Sequence, residues 1–494
     1  MAQASRFNRK WFIIILLIIL AFASRWYHLF FKSAFDDEFM LISTLSQPLK
    51  DLIYFCYSDV HPPLFRILLH FSVYFGEIWN ESFVFFIRSI SAVSGIFLII
   101  PIWMFCDRYL NRGSAILASL GIIFSTALIE VSQEARVYSL FCLVSTSSFY
   151  LMMAYENKPS RTNRILYGLV TLLGLYLNYW MVFVLLSQWI LYVGWKWEKK
   201  GAWVYLQDIL VVIGAYSPWF IAWFFHRLNE PAFQNKLLSF ISFKPFLMKM
   251  YGINRRLFAG YESAYPYHRD ILLFLAILIA GAGVYFLWKK DRALCVSMLS
   301  LIFIPQLTGF IKGFVLYSKY LSFIIPLFLI FAAYGLSQWK VKYLIPLAAL
   351  LILLQAPILS NYYQSEVNPY VKQDYRGLAL YLKDNLQSND HLISYGNHWI
   401  PNFYMKYPIS HQHYPTSISG FPDEKILQDI DNPQFDRVWM TYLTYQEKEI
   451  EKDVFTYMHR EILQHQEFGQ GMQLVLLGEM KIRENQKTSL GKGN

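Results

Sequence analysis

Eleven apolar runs, each parted from the next by a short polar link, dominate this chain: Trp11 to Phe31, Val84 to Phe105, Gly113 to Ile129, Val137 to Ala154, Ile165 to Asn178, Trp180 to Gly194, Trp203 to Phe225, Ile271 to Trp288, Ala293 to Ile311, Leu321 to Leu336 and Tyr343 to Leu359. About 20 apolar residues suffice for a helix to cross a hydrocarbon core roughly 30 Å thick. With 55% hydrophobic and 18% aromatic residues in a chain of 494 and a mean hydropathy of +0.32, a soluble two-domain enzyme is excluded. The reading is an α-helical polytopic membrane protein. Trp11 to Phe31 has no small-residue cleavage site and is expected to remain as the first helix.

A further stretch, Pro62 to Trp79, is long enough to cross, yet Arg66, His70, Tyr74 and Glu77 recur on it at helical spacing. Such a polar stripe suits a helix lying in the membrane interface. The positive-inside rule decides between the two. If the stretch lies flat, the basic links Arg6 to Lys10, Arg108 to Arg112, Lys158 to Arg164, Lys196 to Lys200, Lys289 to Arg292 and Lys340 to Lys342 all fall on the side of the N-terminus. Were it to span, every link after the first would change sides. The expectation is eleven spans in the cell membrane, with a cytoplasmic N-terminus and an extracytoplasmic C-terminus. The formal charge of +10 then records topology rather than nucleic-acid binding. Cys56, Cys106, Cys142 and Cys295 stand singly, which gives neither a disulfide framework nor a metal-ligand spacing.

This topology divides the chain into a membrane domain, residues 1–360, and an extracytoplasmic domain, residues 361–494. The membrane domain carries a first outer loop over 32–83, with its interfacial helix at 62–79, and a long outer loop over 226–270. That long loop holds Arg227, Lys236, Lys244, Lys249, Arg255, Arg256 and Arg269, a basic surface suited to anionic lipid headgroups. In the C-terminal part, Arg376 to Leu386 and Glu447 to Leu463 read as helices. His391 to Tyr395, Arg437 to Tyr442 and Gln473 to Leu477 read as strands, giving a small α/β domain.

Polar chemistry gathers in the outer links. The first loop carries Phe35-Asp36-Asp37-Glu38-Phe39 and closes with Asp59-Val60-His61-Pro62-Pro63-Leu64. Carboxylates against a membrane segment cost free energy unless they face water or a partner, so they mark a candidate site. Asp37 has the type and setting of a general base whose pKa a partly dry loop would raise. Its bland alternative is a helix cap. Glu38 orients a neighbour or is solvated. The turn Val131 to Tyr138 contributes Glu134 and Arg136, which either pair with each other or meet a substrate. Asp59, His61 and Glu134 are also candidate ligands of a divalent metal ion, although their spacing is no recognised signature. Arg25 and Arg88 are expected to snorkel or to pair with the acidic loop. Tyr176, Tyr179 and Trp180 belong to an aromatic belt or stack on a sugar face.

Taken in order, Asp37-Glu38, Asp59 to Leu64, Ser132-Gln133-Glu134-Ala135-Arg136-Val137-Tyr138, the aromatic turn Tyr176 to Trp180, Ser318-Lys319-Tyr320-Leu321 with Pro326, and Asp374-Tyr375-Arg376-Gly377-Leu378 resemble one family. It is the bacterial family 39 type of membrane glycosyltransferases, relatives of the protein O-mannosyltransferases and of the lipid A aminoarabinose transferase, in the GT-C superfamily. The resemblance implies transfer of a sugar, with inversion, from a polyprenyl-phosphate donor to a lipid, glycan or protein acceptor at the outer face. It implies Asp37 as base; Glu38 is expected beside it, and Asp59, His61, Glu134, Arg136, Tyr138, Tyr179 and Lys319 are expected to contact substrate. Where the family carries an Arg this chain has Lys319, a point charge in place of a planar fork. The rival readings are a transporter or flippase of lipid-linked sugars, which predicts polar breaks near the bilayer midplane, and a receptor, which leaves the acidic loop unexplained.

Overall fold

The computed structural model describes residues 2–29, 31–72, 81–158, 160–196, 201–229, 242–260, 266–311, 316–364, 373–395, 410–414, 424–443, 460–468 and 472–480. The chain divides into two compact units: Met1–Phe30, Ser43–Gly76 and Val84–Gln364 form the first, and Phe31–Ile42, Glu77–Phe83 and Ser365–Asn494 the second.

The first unit is helical. Among the described residues six helical stretches are long and apolar enough to cross a membrane: Ser82–Tyr109, Tyr205–Leu228, Tyr267–Lys290, Arg292–Phe310, Ser318–Ser337 and Lys342–Gln364. The bent pair Arg112–Phe124 and Thr126–Ser132 makes up to seven. Helices also occupy the other four apolar runs, at α1 (Ala2–Trp26), α9 (Tyr138–Asn157), α10 (Arg161–Leu177) and α11 (Met181–Lys196). The short turn between α10 and α11 is a real break. The buried Asn178 ends α10, and its Oδ1 accepts from the Trp180 N–H at 3.1 Å.

Several basic links meet at one end of this unit. Asp107 binds Lys10 at 2.7 Å and Arg112 at 3.3 Å. Lys290 donates to the Tyr109 carbonyl at 2.7 Å, capping the end of α6 (Ile99–Tyr109), which follows α5 (Glu81–Phe97), and Asn157 reaches the Tyr109 hydroxyl at 3.4 Å. Asn111 caps α7 (Arg112–Phe124) through the Ser114 N–H and also donates to Ser337. Cations and carbonyls at helix C-termini attract, as the exposed peptide dipoles there require.

The run expected as one span over Gly113 to Ile129 is broken. After α7 the chain bends by 61° and continues as α8 (Thr126–Ser132), which Ser125 caps through the Leu128 N–H. A bend leaves the last carbonyls of α7 without partners in the helix. Arg25, fully buried, supplies them: its guanidinium donates to Ile122 O at 2.7 Å and Ile123 O at 3.3 Å. The expectation that Arg25 snorkels or pairs with the acidic loop is therefore corrected. Arg88, also buried, donates to the Leu29 carbonyl at 3.3 Å.

Within the stretch 62–79, the described helix is α4 (Leu64–His70), about 10 Å of rise against a core of about 30 Å. Tyr74 and Glu77 lie outside the described residues. The polar stripe does not face water at its start. Arg66 is buried on Asp59 and Thr44, and His70 Nδ1 lies 3.1 Å from the Leu45 carbonyl. Side chains that satisfy one another explain why a charged stripe tolerates burial.

The second unit contains a five-stranded sheet. Its strands are β1 (Asp390–Tyr395), β2 (Ser410–Tyr414), β3 (Arg437–Leu443), β4 (Arg460–Phe468) and β5 (Met472–Met480), in the order β2-β1-β3-β5-β4. β1 pairs in parallel with β2 and β3, while β5 runs antiparallel to β3 and β4. Ile393, Val438, Met440, Tyr442, Val475 and Leu477 bury one face against Ile426 and Ile430. On β1, Asp390 accepts from Arg437 and from the Trp439 indole, and these partners hold its carboxyl below the usual range against the opposing effect of burial. Of the expected helix Glu447 to Leu463, residues 447–459 lie outside the described residues and 460–463 begin β4 instead. Arg460 fixes that strand by donating to the carbonyls of Ile430, Asn432, Phe435, Asp436 and Gly478.

Candidate functional site

In the first unit three of the sequence-predicted residues, His61, Arg136 and Lys319, gather at the ring of a fourth, Tyr138. α3 (Leu49–Ser58) ends at Asp59, and Pro62-Pro63 stiffen the exit into α4, so residues 59–63 form a short rigid connection. Both oxygens of Asp59 are engaged: Oδ1 accepts from the Val60 N–H at 2.7 Å, and Oδ2 accepts from Arg66 Nε at 2.9 Å and Nη2 at 2.7 Å. Burial alone would raise this carboxyl, but Arg66 and then other neighbours, Arg136 included, hold it below the usual range. Arg66 also donates to Thr44 Oγ1 at 2.5 Å and lies over the Phe55 ring. From α12 (Gly201–Leu228), Arg227 donates to the carbonyls of Ser58 at 2.7 Å and Asp59 at 3.2 Å, which closes the connection from the other side.

His61 is buried at 8% exposure, and its Nε2 lies 3.2 Å from the Tyr138 hydroxyl. Its Nδ1 is buried with no hydrogen-bond partner among the described residues. Desolvation, helped by the cations Arg136, Arg66 and Lys319 and opposed by Asp59, pushes the imidazole down to about 3. His61 is therefore neutral at physiological pH. It is a polar contact, not a charge.

Tyr138, the first residue of α9, is fully buried, with Tyr320 5.7 Å away, ring to ring. Two cations address the Tyr138 ring: the Arg136 guanidinium and the Lys319 ammonium each lie 5.9 Å from its centroid. The turn that presents Arg136 is fixed at several points. Its N–H bonds the Glu134 carbonyl at 2.8 Å, its carbonyl accepts from Ser91 at 3.0 Å, and Gln133 donates to the carbonyls of Arg25 and Tyr27. Lys319 rides on a 3-10 turn, Ser318–Ile324, and is half-buried. Both cations thus face one aromatic ring, and Arg136 also acts on the Asp59 carboxyl.

Glu134 is buried in the same turn. Asp59, His61 and Glu134 do not converge as a ligand set: no group of three or more His, Cys, Asp or Glu side chains able to hold a metal occurs among the described residues. With both oxygens of Asp59 engaged by Arg66 and Val60, the residues as arranged do not fit a divalent ion. Tyr179 lies in the α10–α11 turn, its ring 4.8 Å from Trp223 and its hydroxyl beside the Trp219 indole; burial first of all raises its pKa. Trp180 turns instead to Phe183 and Phe323.

In the second unit, Asp36, Asp37 and Glu38 open α2 (Asp36–Leu45), where negative charge at a helix N-terminus is favoured. Glu38 is fully buried, whereas Asp36 and Asp37 are half-buried.

Reading from the sequence overlooked Arg66 as the partner of Asp59, Arg227 as its backbone clasp and Gln133 as the anchor of the Arg136 turn. The seven-residue step from Asp59 to Arg66 was a usable signal. The other two act over long sequence separations that leave none.

No protein-family model matches the chain, and no curated protein matches it by sequence. Solved structures do match in fold. Two structures of ArnT, an aminoarabinose transferase from Cupriavidus metallidurans, superpose with TM-scores of 0.56, bound to undecaprenyl phosphate, and 0.54, in the apo state. The first is 12% identical, covering 95% of this chain and 98% of that one. The Archaeoglobus fulgidus oligosaccharyltransferase, solved with zinc and sulfate, gives 0.52 at 10% identity over 90% of this chain and 69% of that one. The chain has the GT-C fold of these membrane proteins.

Proposed function

We propose that the protein is an inverting glycosyltransferase that moves a sugar from a polyprenyl-phosphate donor to an acceptor at the outer face of the cell membrane. The observation that carries this reading is the pair of cations, Arg136 and Lys319, set about the Tyr138 ring beside a neutral His61. The fold adds support, because ArnT carries undecaprenyl phosphate on the same framework. The proposed topology has eleven spans, with the N-terminus inside and residues 361–494 outside.

In the proposed reaction an acceptor hydroxyl attacks the anomeric carbon opposite the phosphate while Asp37 takes its proton. The sugar–phosphate C–O bond breaks, and the polyprenyl phosphate leaves with the electron pair. A phosphate leaving group needs charge neutralisation more than protonation, which Arg136 and Lys319 supply. A second catalytic carboxylate is not required for this chemistry. Glu38, Asp59 and Glu134 then serve to orient or hold neighbours, with Asp59 acting through Arg66. Tyr179 lines the approach of substrate. No step runs through a metal.

Membranes containing the protein, incubated with synthetic undecaprenyl-phosphate-linked radiolabelled hexoses and pentoses, test the reading. It expects label to pass to an acceptor and undecaprenyl phosphate to be released, both lost with Asp37→Asn at normal membrane insertion. Unchanged transfer in that variant overturns the assignment of the base.

A further inference from the structure

The segment that opens α2 with its three acidic residues is tied down by the first turn of a helix from the C-terminal part of the chain. The helix Tyr375–Asn385 is capped by Asp374, whose Oδ1 accepts from the Gly377 N–H at 2.9 Å. Its first two residues grip the acidic segment at three points. The Tyr375 hydroxyl donates to Asp36 Oδ1. The Arg376 N–H donates to Ser33 Oγ at 3.1 Å, and the Arg376 guanidinium donates to the Phe31 carbonyl at 2.7 Å. Between them the Tyr375 ring stands edge-on to Phe39 at 5.2 Å, and both rings are fully buried.

We propose that Tyr375 and Arg376 are positioning residues that fix residues 31–39 and so hold Asp37 in place for proton transfer. The ties fall on both sides of Asp37 in the sequence. Asp36 spends an oxygen on Tyr375, and a hydrogen bond from a phenol to a carboxylate is of the stronger, charge-assisted kind. Glu38 is fully buried. Asp37 lies half-buried between them, on a helix turn whose preceding residues are held by Arg376. A base must sit within a few tenths of an ångström of its working position, and a turn at the start of a helix holds that tolerance only if its flanks are tied. The sequence motif Asp374-Tyr375-Arg376 thus has a job in catalysis although none of its side chains is assigned to touch substrate. This inference rests on the reading of Asp37 as base.

The test uses the full-length protein and the same undecaprenyl-phosphate-linked radiolabelled sugars. Tyr375→Phe keeps the ring against Phe39 and removes only the donor. It is expected to lower kcat about tenfold with KM for the lipid-linked sugar within about twofold, at unchanged thermal stability. Arg376→Ala is expected to do the same, and Arg376→Lys to restore part of the rate. Because Tyr375 acts through Asp36, Asp36→Asn combined with Tyr375→Phe is expected to be no slower than Asp36→Asn alone. Carbodiimide labelling of Asp37, read by mass spectrometry, needs no turnover and is expected to change severalfold in Tyr375→Phe. Wild-type kcat and unchanged labelling in Tyr375→Phe, with Asp37→Asn inactive, overturn this inference while leaving the base intact. Full activity of Asp37→Asn overturns both.

Discussion

Asp59 and Arg66 stand seven residues apart and are joined in the fold by two hydrogen bonds to one carboxylate oxygen. Their side chains are 12% and 6% exposed, so removing one leaves the other buried without a countercharge. Asp59→Asn is expected to destabilise the protein by about 3–5 kcal/mol, seen as a lower unfolding temperature in detergent. Lys319→Ala, by contrast, removes a half-buried cation and is expected to cut lipid-linked transfer with little effect on that temperature. His61 carries a pH dependence of known sign. Its folded pKa, about 3, lies below the usual 6.5, so the unfolded chain binds more protons between those values. Stability from this group is complete above about pH 6.5 and is lost as pH falls toward 3. Unfolding temperatures measured from pH 7 to pH 4 are expected to fall more steeply in the wild type than in His61→Gln. At this scale motif order singled out Asp59, His61, Arg136, Tyr138 and Lys319, which the fold brings near one another. What each touches was not visible there: Asp59 meets Arg66, a guanidinium brought in by the next helix.

The bend between α7 and α8 is the element on which the Arg136 turn depends, since α8 leads directly into Gln133 and Arg136. Arg25 closes the carbonyls that the bend opens, and Gly95 makes room for it: a Cβ there would collide with Ser132 Oγ and come within 3.0 Å of Arg25 Nε. Arg25→Met is expected to cost about 2–4 kcal/mol by orphaning those carbonyls, and Gly95→Ala to destabilise as well; thermal unfolding in detergent checks both. Gly260 marks another such point, with φ of +82° and a Cβ position occupied by Thr126. The bend was invisible in the sequence because the apolar run continues past Ser125 to Ile129, and hydropathy records length rather than direction. In the C-terminal segment apolar spacing suggested one helix running to Leu463, where backbone pairing with β5 makes 460–468 a strand. β2, Ser410–Tyr414, was missed since Ser-His-Gln-His-Tyr has no apolar alternation.

For the whole molecule, the basic links were the most informative feature, since several of them, distant in sequence, meet through Lys10, Asp107, Arg112, Tyr109 and Lys290. The proposed topology puts the C-terminus on the opposite side of the membrane from those links. A reporter fused after Asn494 is expected to be labelled only from outside the cell; cytoplasmic labelling would remove the eleven-span arrangement. The central claim is that Arg136 and Lys319 receive a lipid phosphate, and direct binding measures it. Undecaprenyl phosphate titrated against purified wild type and against Arg136→Ala with Lys319→Ala is expected to bind the double variant at least about a hundredfold more weakly, at least about 2.7 kcal/mol for two charge-assisted contacts. Equal affinity in a folded double variant would contradict the account.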